Sequence, residues 1–238
     1  MDDREKILSL IKIQSANNED FKRFFEVLNL YMNVILIGGA ARGALENDFN
    51  PRDLDFILNN DNMNDFESII KNLHINYIKN SFGGYKLKFK NLEVDVWSIY
   101  AHNAFIKGFM KPSVENLEKT CVINYDAVLY DFKKNVLYDS IYQNCKKTKT
   151  IKLIGDLKMI NSNGIGRNVA RLIRKQLESG YKFDDRTIKY IKDYFESNSK
   201  EDLYSAYQQH YKELPSKNFV NSVNNFEKLV YNNYIKIN

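Results

Sequence analysis

The sequence VILIGGAARGALENDFNPRDLDFIL runs from Val34 to Leu58 and predicts, in order, an apolar strand, a Gly-Gly turn, a short helix and a second strand. The second strand carries two acidic residues, Asp53 and Asp55. Residues two apart in a strand point to the same face, so these carboxylates project side by side while their neighbours enter the core. The stretch therefore predicts a strand, helix and strand unit that presents two carboxylates at one place.

The paired carboxylates indicate a divalent cation. Mg²⁺ prefers carboxylate oxygens and is held in proteins by one or two of them together with substrate phosphates. Gly38 and Gly39 suit the same chemistry, because glycines at a helix start let backbone N–H groups approach a phosphate without Cβ atoms in the way. Arg42 adds a cation to the same unit. The combination predicts a site for a metal ion and a phosphate group.

Each part of this unit also has a purely structural explanation. A single D-x-D pair at a strand start is more often a solvated edge, and Gly-Gly after a strand is usually only a turn. The G-x-G-x-x-G fingerprint of dinucleotide-binding domains and the Walker loop G-x-x-x-x-G-K-[ST] are both absent from the sequence. The spacing favours the functional interpretation, since structural demands seldom place a glycine turn, an arginine and an acid pair in one unit.

A third carboxylate lies in the sequence LEVDVWSI at residues 92–99, where alternating apolar and polar positions predict a strand. Asp95 stands among two valines and a tryptophan, so we expect it in buried surroundings where an acid needs a partner. A metal ion would be that partner. Glu93, in contrast, is expected to face solvent.

Length and composition limit the class of protein. The chain has 238 residues, 44% of them hydrophobic, which suits one large or two modest domains with a real core and argues against disorder. The net charge of +5 suits a polyanionic partner without demanding one. Cys121 and Cys145 have no metal-binding spacing, so we expect reduced thiols and no zinc site. Because no apolar run approaches the roughly 20 residues of a membrane span and no signal peptide is evident, we expect a cytoplasmic protein without membrane contact.

The chain changes character near residue 150. Before that point the apolar periodicity predicts helices at residues 2–13, 18–30 and 65–73, and strands at 75–78, 85–89, 92–99, 121–123, 128–130 and 136–138. Residues 102–112 have no clean period and are predicted to form a loop, with a short helix following from Ser113. From Gly166 the pattern is helical. We therefore predict one domain at residues 1–150 and a helical domain at 151–238.

Basic residues cluster close to this boundary. Lys146, Lys147 and Lys149 form a short basic connector, and clustered lysines can neutralise a phosphate backbone. Arg171 and Arg174 lie three residues apart in a predicted helix, on neighbouring positions of its surface. A charged run is more often just a solvated face. The arginine run lies close in sequence to the domain predicted at residues 1–150, where it could meet a phosphate backbone, and we predict that the three lysines contact RNA.

With these residues in view, the chain resembles the nucleotidyltransferase superfamily of DNA polymerase beta, and within it the class II CCA-adding enzymes and bacterial poly(A) polymerases. GGAAR is similar to the GG-x-V-R-D opening of that group, RDLDF to its catalytic D-x-D, and VDVW to the strand of the third carboxylate. LEKTCVINYDAVLYDFKKNVLYD resembles the R-R-D-F-T-I-N-A-L-A-Y segment with its following hairpin. RNVARLIRKQLESGYKFDDRTIKYI is similar to the neck helices, so the resemblance covers residues 20–195.

The resemblance implies an α+β fold: a nucleotidyltransferase head with a mixed sheet and flanking helices, followed by an all-helical neck and body. It implies two Mg²⁺ ions, or Mn²⁺ in their place, at Asp53, Asp55 and Asp95. It also implies a set of residues for the nucleoside triphosphate substrate, namely Gly38, Gly39 and Arg42 for the triphosphate, Asn124 for the nucleotide, and Arg171 and Arg174 for the base or the acceptor strand.

The chain departs from that group in places that concern nucleotide choice. Gly43 stands where the group has Asp after the motif arginine, and Glu118, Lys119 and Thr120 stand where it has Arg-Arg-Asp. A clear Glu-Asp-x-x-Arg, which pairs with the incoming base in the group, is absent from the neck. The departures imply a reduced or repurposed transferase, with ordered C-C-A addition in doubt.

Three functions follow as hypotheses. The first is template-independent transfer of a nucleoside monophosphate from its triphosphate to an RNA 3′ end, with tRNA as the leading acceptor and pyrophosphate as the leaving group. The second is nucleotidyl transfer to a hydroxyl of a small molecule or a protein. The third is a catalytically inactive RNA-binding module. Retention of all three acids argues against the third hypothesis, and the basic connector favours the first.

Overall fold

A computed structural model of the chain describes residues 1–80 and 83–235, with side chains to residue 228. The chain divides into two compact units. Unit 1 consists of Met1–Cys121 and Asp126–Tyr142, and unit 2 of Val122–Tyr125 and the segment that starts at Gln143. Unit 1 holds the predicted carboxylates, whereas unit 2 holds the predicted neck.

Unit 1 is built of helices and short strands. Its elements in chain order are α1 (Asp3–Asn17), α2 (Glu19–Tyr31), β1 (Val34–Ile37), α3 (Gly39–Leu45), β2 (Asp53–Leu58), α4 (Asn64–Asn72), β3 (Tyr77–Lys79), β4 (Tyr85–Phe89), β5 (Leu92–Ser98), α5 (Asn103–Ile106), α6 (Val114–Thr120), β6 (Leu129–Asp131) and β7 (Val136–Tyr138). Polar residues define the helix starts as expected: Asp2 caps α1 in a capping box with Glu5, and Asn18 caps α2.

The strands form one mixed seven-stranded sheet in the order β3-β4-β5-β2-β1-β6-β7. β2 and β5 are parallel neighbours, and the other pairs are antiparallel. The chain between β2 and β5 contains α4 and the β3–β4 hairpin, which is long enough for the crossover that a parallel pair needs. This topology makes Asp55 and Asp95 neighbours although they lie far apart in sequence.

Apolar residues cover both faces of the sheet, but not over its whole area. On one face aromatic rings from α2 and α4 pack on the strands, as in the contacts Phe25–Phe56 and Phe66–Tyr85 with centroid distances of 5.7 and 5.0 Å. On the other face Phe105 of α5 and Leu117 of α6 pack into a cluster with residues of β1, β2 and β6. Along β2 this second face passes from buried Ile57 to the partly exposed acids.

Unit 2 is mainly helical. Its elements are the end of α7 (Ser140–Thr148), β8 (Thr150–Ile151), α8 (Leu157–Asn161), α9 (Ile165–Ser179), β9 (Lys182–Phe183), α10 (Asp185–Ser197), α11 (Lys200–Tyr211) and α12 (Lys217–Ile235). α9 has a buried stripe that includes Val169, Leu172 and Ile173, and it ends at Gly180 in the left-handed conformation that favours glycine. β8 and β9 form a small parallel pair, which the helical periodicity gave no reason to expect.

Several predicted elements are confirmed and others are wrong. The strands predicted at residues 85–89 and 136–138 match β4 and β7. Residues 121–123 form no strand, and Ile123 makes only an isolated bridge to Leu153. The predicted loop 102–112 contains α5, which has only four residues and is too short to show a helical period. Among the described residues, we find no helix with the length and apolar character that a membrane span requires.

Candidate active site

The acids of β2 are placed as the sequence predicts. Asp53 and Asp55 alternate with buried Leu54 and Phe56, and both acids are partly exposed on the same face of the strand. Strand alternation alone accounts for this arrangement, because side chains two apart share a face. The β2 acids therefore stand together at the uncovered part of the sheet.

The parallel pairing of β2 with β5 brings the third predicted acid to them. Asp55 is the register partner of Asp95, and Asp53 is the partner of Glu93. Register partners of neighbouring strands lie about 4.8 Å apart and point to the same side. Four carboxylates thus share one small area of the sheet. Glu93 lies on the same face as Asp95, at its more exposed edge, with 47% of its side chain exposed against 30% for Asp95.

The Gly-Gly turn lies beside these acids. Gly38 has φ +79° and ψ −136°, a conformation that is readily available only to glycine, and its N–H donates to the carbonyl of Val128 at 2.9 Å. A Cβ atom at Gly38 would lie 3.9 Å from Oδ2 of Asp55, so the turn backbone and this carboxylate are close neighbours. Gly39 then begins α3.

Arg42 is more deeply embedded than its predicted role as a triphosphate ligand suggests. Only 11% of its side chain is exposed, and the guanidinium forms ion pairs with Glu46 at 3.0 Å and with Asp126 at 3.3 Å. Glu46 also accepts a hydrogen bond from the hydroxyl of buried Tyr142 at 2.9 Å. The network attaches α3 to the rest of unit 1. Asp126 is a partner of Arg42 that the sequence pattern did not reveal.

Two cations of the chain form ion pairs with three of the four carboxylates. Arg52 donates from Nε and Nη2 to Oδ2 of Asp53, at 3.1 and 2.7 Å. Nζ of Lys86, on β4, lies 3.1 Å from Oδ1 of Asp95 and 3.0 Å from Oε2 of Glu93. Lys86 was missed in the sequence, although the alternation of YKLKF in β4 places it on the polar face.

The acids fit a hard divalent cation in chemistry and in placement. Asp53, Asp55 and Asp95 offer only carboxylate oxygens, the ligands that Mg²⁺ prefers, and they lie on one face of adjacent strands. Asp53 and Asp95 are held by the ion pairs just described. In the part of the chain that the structure describes, no three acidic, histidine or cysteine side chains converge on one point as metal ligands.

Burial and neighbouring carboxylates raise the pKa of Asp95, and a neighbouring cation opposes them. Burial raises the pKa of the Asp95 carboxyl above its ordinary value, and the negative charges of Asp53 and Glu93 raise it further. The ammonium of Lys86 counteracts part of this rise through its hydrogen bond and charge. Asp95 is therefore the acid of this group that depends most on a nearby cation.

Comparison with solved structures relates this arrangement to known proteins. A CCA-adding enzyme solved with ATP matches with a TM-score of 0.66 at 17% identity, over 94% of this chain and 53% of that one. A tRNA nucleotidyltransferase complexed with a primer tRNA and an incoming ATP analogue gives 0.62 at 14% identity, over 86% and 60%. The Thermotoga maritima CCA-adding enzyme complexed with tRNA gives 0.61 at 16% identity, over 86% and 48%. No protein-family model and no curated protein sequence matches the chain.

The chain has the fold of the CCA-adding enzymes. This result confirms the predicted α+β class, in which a mixed sheet with flanking helices is followed by a mainly helical part, and the predicted resemblance holds at the level of the fold. The chain spans about half the length of these structures. At such low sequence identity the likeness establishes the fold, and the chemistry has to be argued from the residues.

Three of the predicted nucleotide-binding residues lie in unit 2, namely Asn124, Arg171 and Arg174, although Asn124 falls within the domain predicted at residues 1–150. Asn124 is buried, donates from Nδ2 to the carbonyl of Thr150 at 2.9 Å, and accepts from the N–H of Lys152 at 2.8 Å. Its amide therefore joins the segment Val122–Tyr125 to β8. This contact gives Asn124 a structural role in unit 2 in addition to the predicted nucleotide contact.

Arg174 is held by other side chains of unit 2. It donates to Glu178 at 2.7 Å and to Glu213 at 2.6 Å, and its guanidinium lies 4.0 Å from the ring centroid of Tyr211. Arg171 lies one turn earlier on the same helix and is partly exposed. The predicted RNA-binding lysines are all more exposed than Arg174: Lys146, Lys147 and Lys149.

Proposed function

We propose that the chain is a metal-dependent, template-independent nucleotidyltransferase that adds a nucleoside monophosphate from its triphosphate to an RNA 3′ end. The observation that carries the proposal is the register pair Asp55 and Asp95, with Asp53 on the same face and the Gly38 turn beside them. If the acids of β2 served only to face solvent, their register partners on the neighbouring strand would not need to be acidic. Like charges placed together in this way favour a cation-binding function.

The proposed site residues have different roles in the reaction. Asp53, Asp55 and Asp95 would hold two Mg²⁺ ions, which supply a lowered pKa for the attacking hydroxyl and charge stabilisation for the pyrophosphate leaving group. Gly38 and Gly39 give the triphosphate room to approach the backbone of the turn. In the reaction, the hydroxyl oxygen forms a bond to the α-phosphorus, the bond from that phosphorus to pyrophosphate breaks, and the hydroxyl proton is released.

RNA is the acceptor that the remaining features favour, with tRNA first among RNAs. The exposed lysines Lys146, Lys147 and Lys149 present three positive charges within four residues, which suits a phosphate backbone. Structures of similar fold were solved as complexes with tRNA and with nucleotides. The chain's own binding of tRNA, of a nucleoside triphosphate and of magnesium is part of the proposal.

The proposal is tested by incubating the protein with Mg²⁺, each labelled nucleoside triphosphate in turn, and a tRNA that lacks its terminal C-C-A. We expect label on the RNA, release of pyrophosphate, and loss of both on addition of a chelator. Pyrophosphate release that requires a small molecule or a protein, with no labelled RNA, would favour transfer to a different hydroxyl. RNA binding without any pyrophosphate release would favour an inactive binding module.

A further inference from the structure

Lys86 occupies a specific place in the proposed site. It is the second residue of β4, is the register partner of Asp95, and belongs to the same polar face as the acids. Its Nζ reaches both oxygens of Asp95, at 3.1 and 3.2 Å, and Oε2 of Glu93 at 3.0 Å. The backbone pairing of β4 with β5 fixes this contact, so it does not depend on a flexible loop.

The ammonium of Lys86 and a divalent cation require the same oxygens of Asp95. Both favour the ionised carboxylate, and they repel one another at the short separations that a shared ligand imposes. Binding of a cation through Asp95 therefore requires Nζ of Lys86 to move away. Glu93 offers a second carboxylate on the same strand and face, so Lys86 retains an ion-pair partner after such a movement.

The comparison with the other ion pair of the site shows why Lys86 is the important cation. Arg52 is the sequence neighbour of Asp53, and 60% of its side chain is exposed, so water competes readily with that pair. Lys86 comes from a different strand, and only 38% of its side chain is exposed.

We propose that Lys86 acts as a built-in cation that holds Asp95 in the metal-free protein and is exchanged for a divalent ion when the site is loaded. The inference rests on the proposed function, because it assumes that Asp95 is a metal ligand. It adds a regulatory property to the site: Lys86 weakens metal binding and delays assembly of the three acids until an ion of sufficient charge arrives. Glu93 receives Lys86 after the exchange.

The test measures binding of Mn²⁺ to the full chain without nucleotide, by electron paramagnetic resonance of the free ion. Lys86→Met removes the competing charge, so we expect Mn²⁺ to bind about tenfold more tightly, a modest effect because the pair is partly exposed. Lys88→Met is the matched control, since Lys88 lies two residues further on β4, on the same face, and pairs with Glu93 in register. We expect this variant to change affinity by less than about threefold.

Two further variants complete the design. Lys86→Arg keeps the charge and should bind Mn²⁺ as weakly as the unaltered protein. Lys86→Gln removes the charge and keeps a hydrogen-bond donor, so it provides a second charge-free variant in case Lys86→Met does not fold. Equal or weaker binding by the charge-free variants than by Lys88→Met would overturn the exchange while leaving the metal site intact. Failure of all proteins, including the unaltered one, to bind Mn²⁺ would overturn the metal site itself and the proposed function with it.

Discussion

Asp55 and Asp95 are register partners on the parallel strands β2 and β5, although 39 residues of chain lie between them. The pairing places their Cα atoms about 4.8 Å apart and their side chains on one face. Two carboxylates so close together repel one another and oppose folding unless a cation offsets the repulsion. In this protein Lys86 offers part of that compensation, at 3.1 Å from Asp95. The site is therefore built to hold positive charge.

The first prediction concerns the register pair. Mutation of a residue that hydrogen-bonds to a metal ligand typically lowers activity by roughly 10- to 100-fold. Asp55→Asn and Asp95→Asn each remove a proposed ligand itself, so each should reduce nucleotide transfer by more than that. The fold should remain, since the substitution keeps the shape and relieves repulsion between clustered carboxylates. Transfer is measured with labelled triphosphate and excess Mg²⁺, and the melting temperature of each variant is measured beside it.

Glu93→Gln is the control for this experiment. Glu93 lies on the same face as Asp95 but at its exposed edge, so with excess Mg²⁺ its removal should leave transfer nearly unchanged. Losses of equal size in Glu93→Gln and Asp95→Asn would show that the ligand assignment on β5 is wrong. Wild-type turnover in Asp55→Asn would contradict the proposed catalytic role of the β2 acids.

The second prediction compares the two glycines of the turn. Gly38 has φ +79°, so Gly38→Ala should lower the free energy of unfolding by about 1–3 kcal/mol through backbone strain. Gly39 begins α3, and no atom lies within 4 Å of where its Cβ would stand. Gly39→Ala should therefore leave the free energy of unfolding unchanged or raise it by up to about 1 kcal/mol. Urea unfolding measures both, and a greater loss at Gly39 would contradict the turn geometry.

Local patterns in the sequence were sufficient for the strand with two acids and for the glycine turn. Period-two alternation fixes which side chains of β2 share a face, and the preference of glycine for positive φ fixes the turn at Gly38. Local patterns could not show which strand lies beside β2, because strand pairing depends on the whole chain. The proximity of Asp95 to Asp55 was an expectation from the family resemblance, and the register of β2 with β5 supports it.

Other residues show where local patterns are insufficient. A lysine at a polar position of a strand is typical of a solvated face, so the contact of Lys86 with Asp95 could not be read from β4 alone. Asn124 matched a family motif, but its hydrogen bonds to Thr150 and Lys152 depend on how distant segments meet. Likewise, Asp126 could not be recognised as the partner of Arg42 from sequence spacing.

The third prediction concerns pH and His102. Its ring packs against Phe105, its Nδ1 accepts from the N–H of Ala104 at 3.3 Å, and burial lowers its pKa from 6.5 to about 4. Between these two values the unfolded chain binds a proton that the folded chain does not, so the stabilisation is present above pH 6.5 and is lost as the pH falls toward 4. The loss amounts to at most about 3 kcal/mol.

The measurement uses His102→Asn as a reference, because asparagine can still cap α5 and does not titrate. Urea unfolding of both proteins is followed from pH 7.5 to pH 4.5. The free energy of unfolding of the unaltered protein should fall more steeply than that of His102→Asn, with carboxylate effects common to both. Parallel curves would contradict a buried, neutral His102.

The fourth prediction concerns the exposed lysines at the end of α7. Changing Lys146, Lys147 and Lys149 to Glu should weaken RNA binding and reduce the slope of log affinity against log salt by about 2 to 3, since each phosphate contact contributes about 0.7 to 0.9. The choice of nucleotide should not change. A control with the same change of charge replaces three exposed lysines elsewhere in unit 2, namely Lys189, Lys212 and Lys217. Equal effects of the two triple variants would contradict a localised RNA contact.

The surroundings of Arg174 bear on how the protein selects its nucleotide. A residue that recognises a base by hydrogen bonds must offer donors to it, but the guanidinium of Arg174 donates to Glu178 and Glu213 and lies against Tyr211. Two charged hydrogen bonds, individually worth about 1.5–3 kcal/mol, engage Nε and Nη1 and hold the guanidinium in this orientation. The residue is better suited to joining α9 to α11 than to reading a base.

The last prediction follows from this arrangement and from the missing Glu-Asp-x-x-Arg motif. A site that selects bases by hydrogen bonds leaves buried polar groups unpaired when the wrong base enters, which can give selectivity of about 10⁴ or more. Without such groups, binding of the wrong base costs little free energy. We expect the protein to add one or a few residues of a single favoured nucleotide, chosen by stacking and pocket shape, and not an ordered C-C-A. Sequencing the 3′ ends of a tRNA that lacked C-C-A, after reaction with all four triphosphates, measures this directly. Faithful restoration of C-C-A would contradict the prediction and would require base-selecting groups other than Arg174.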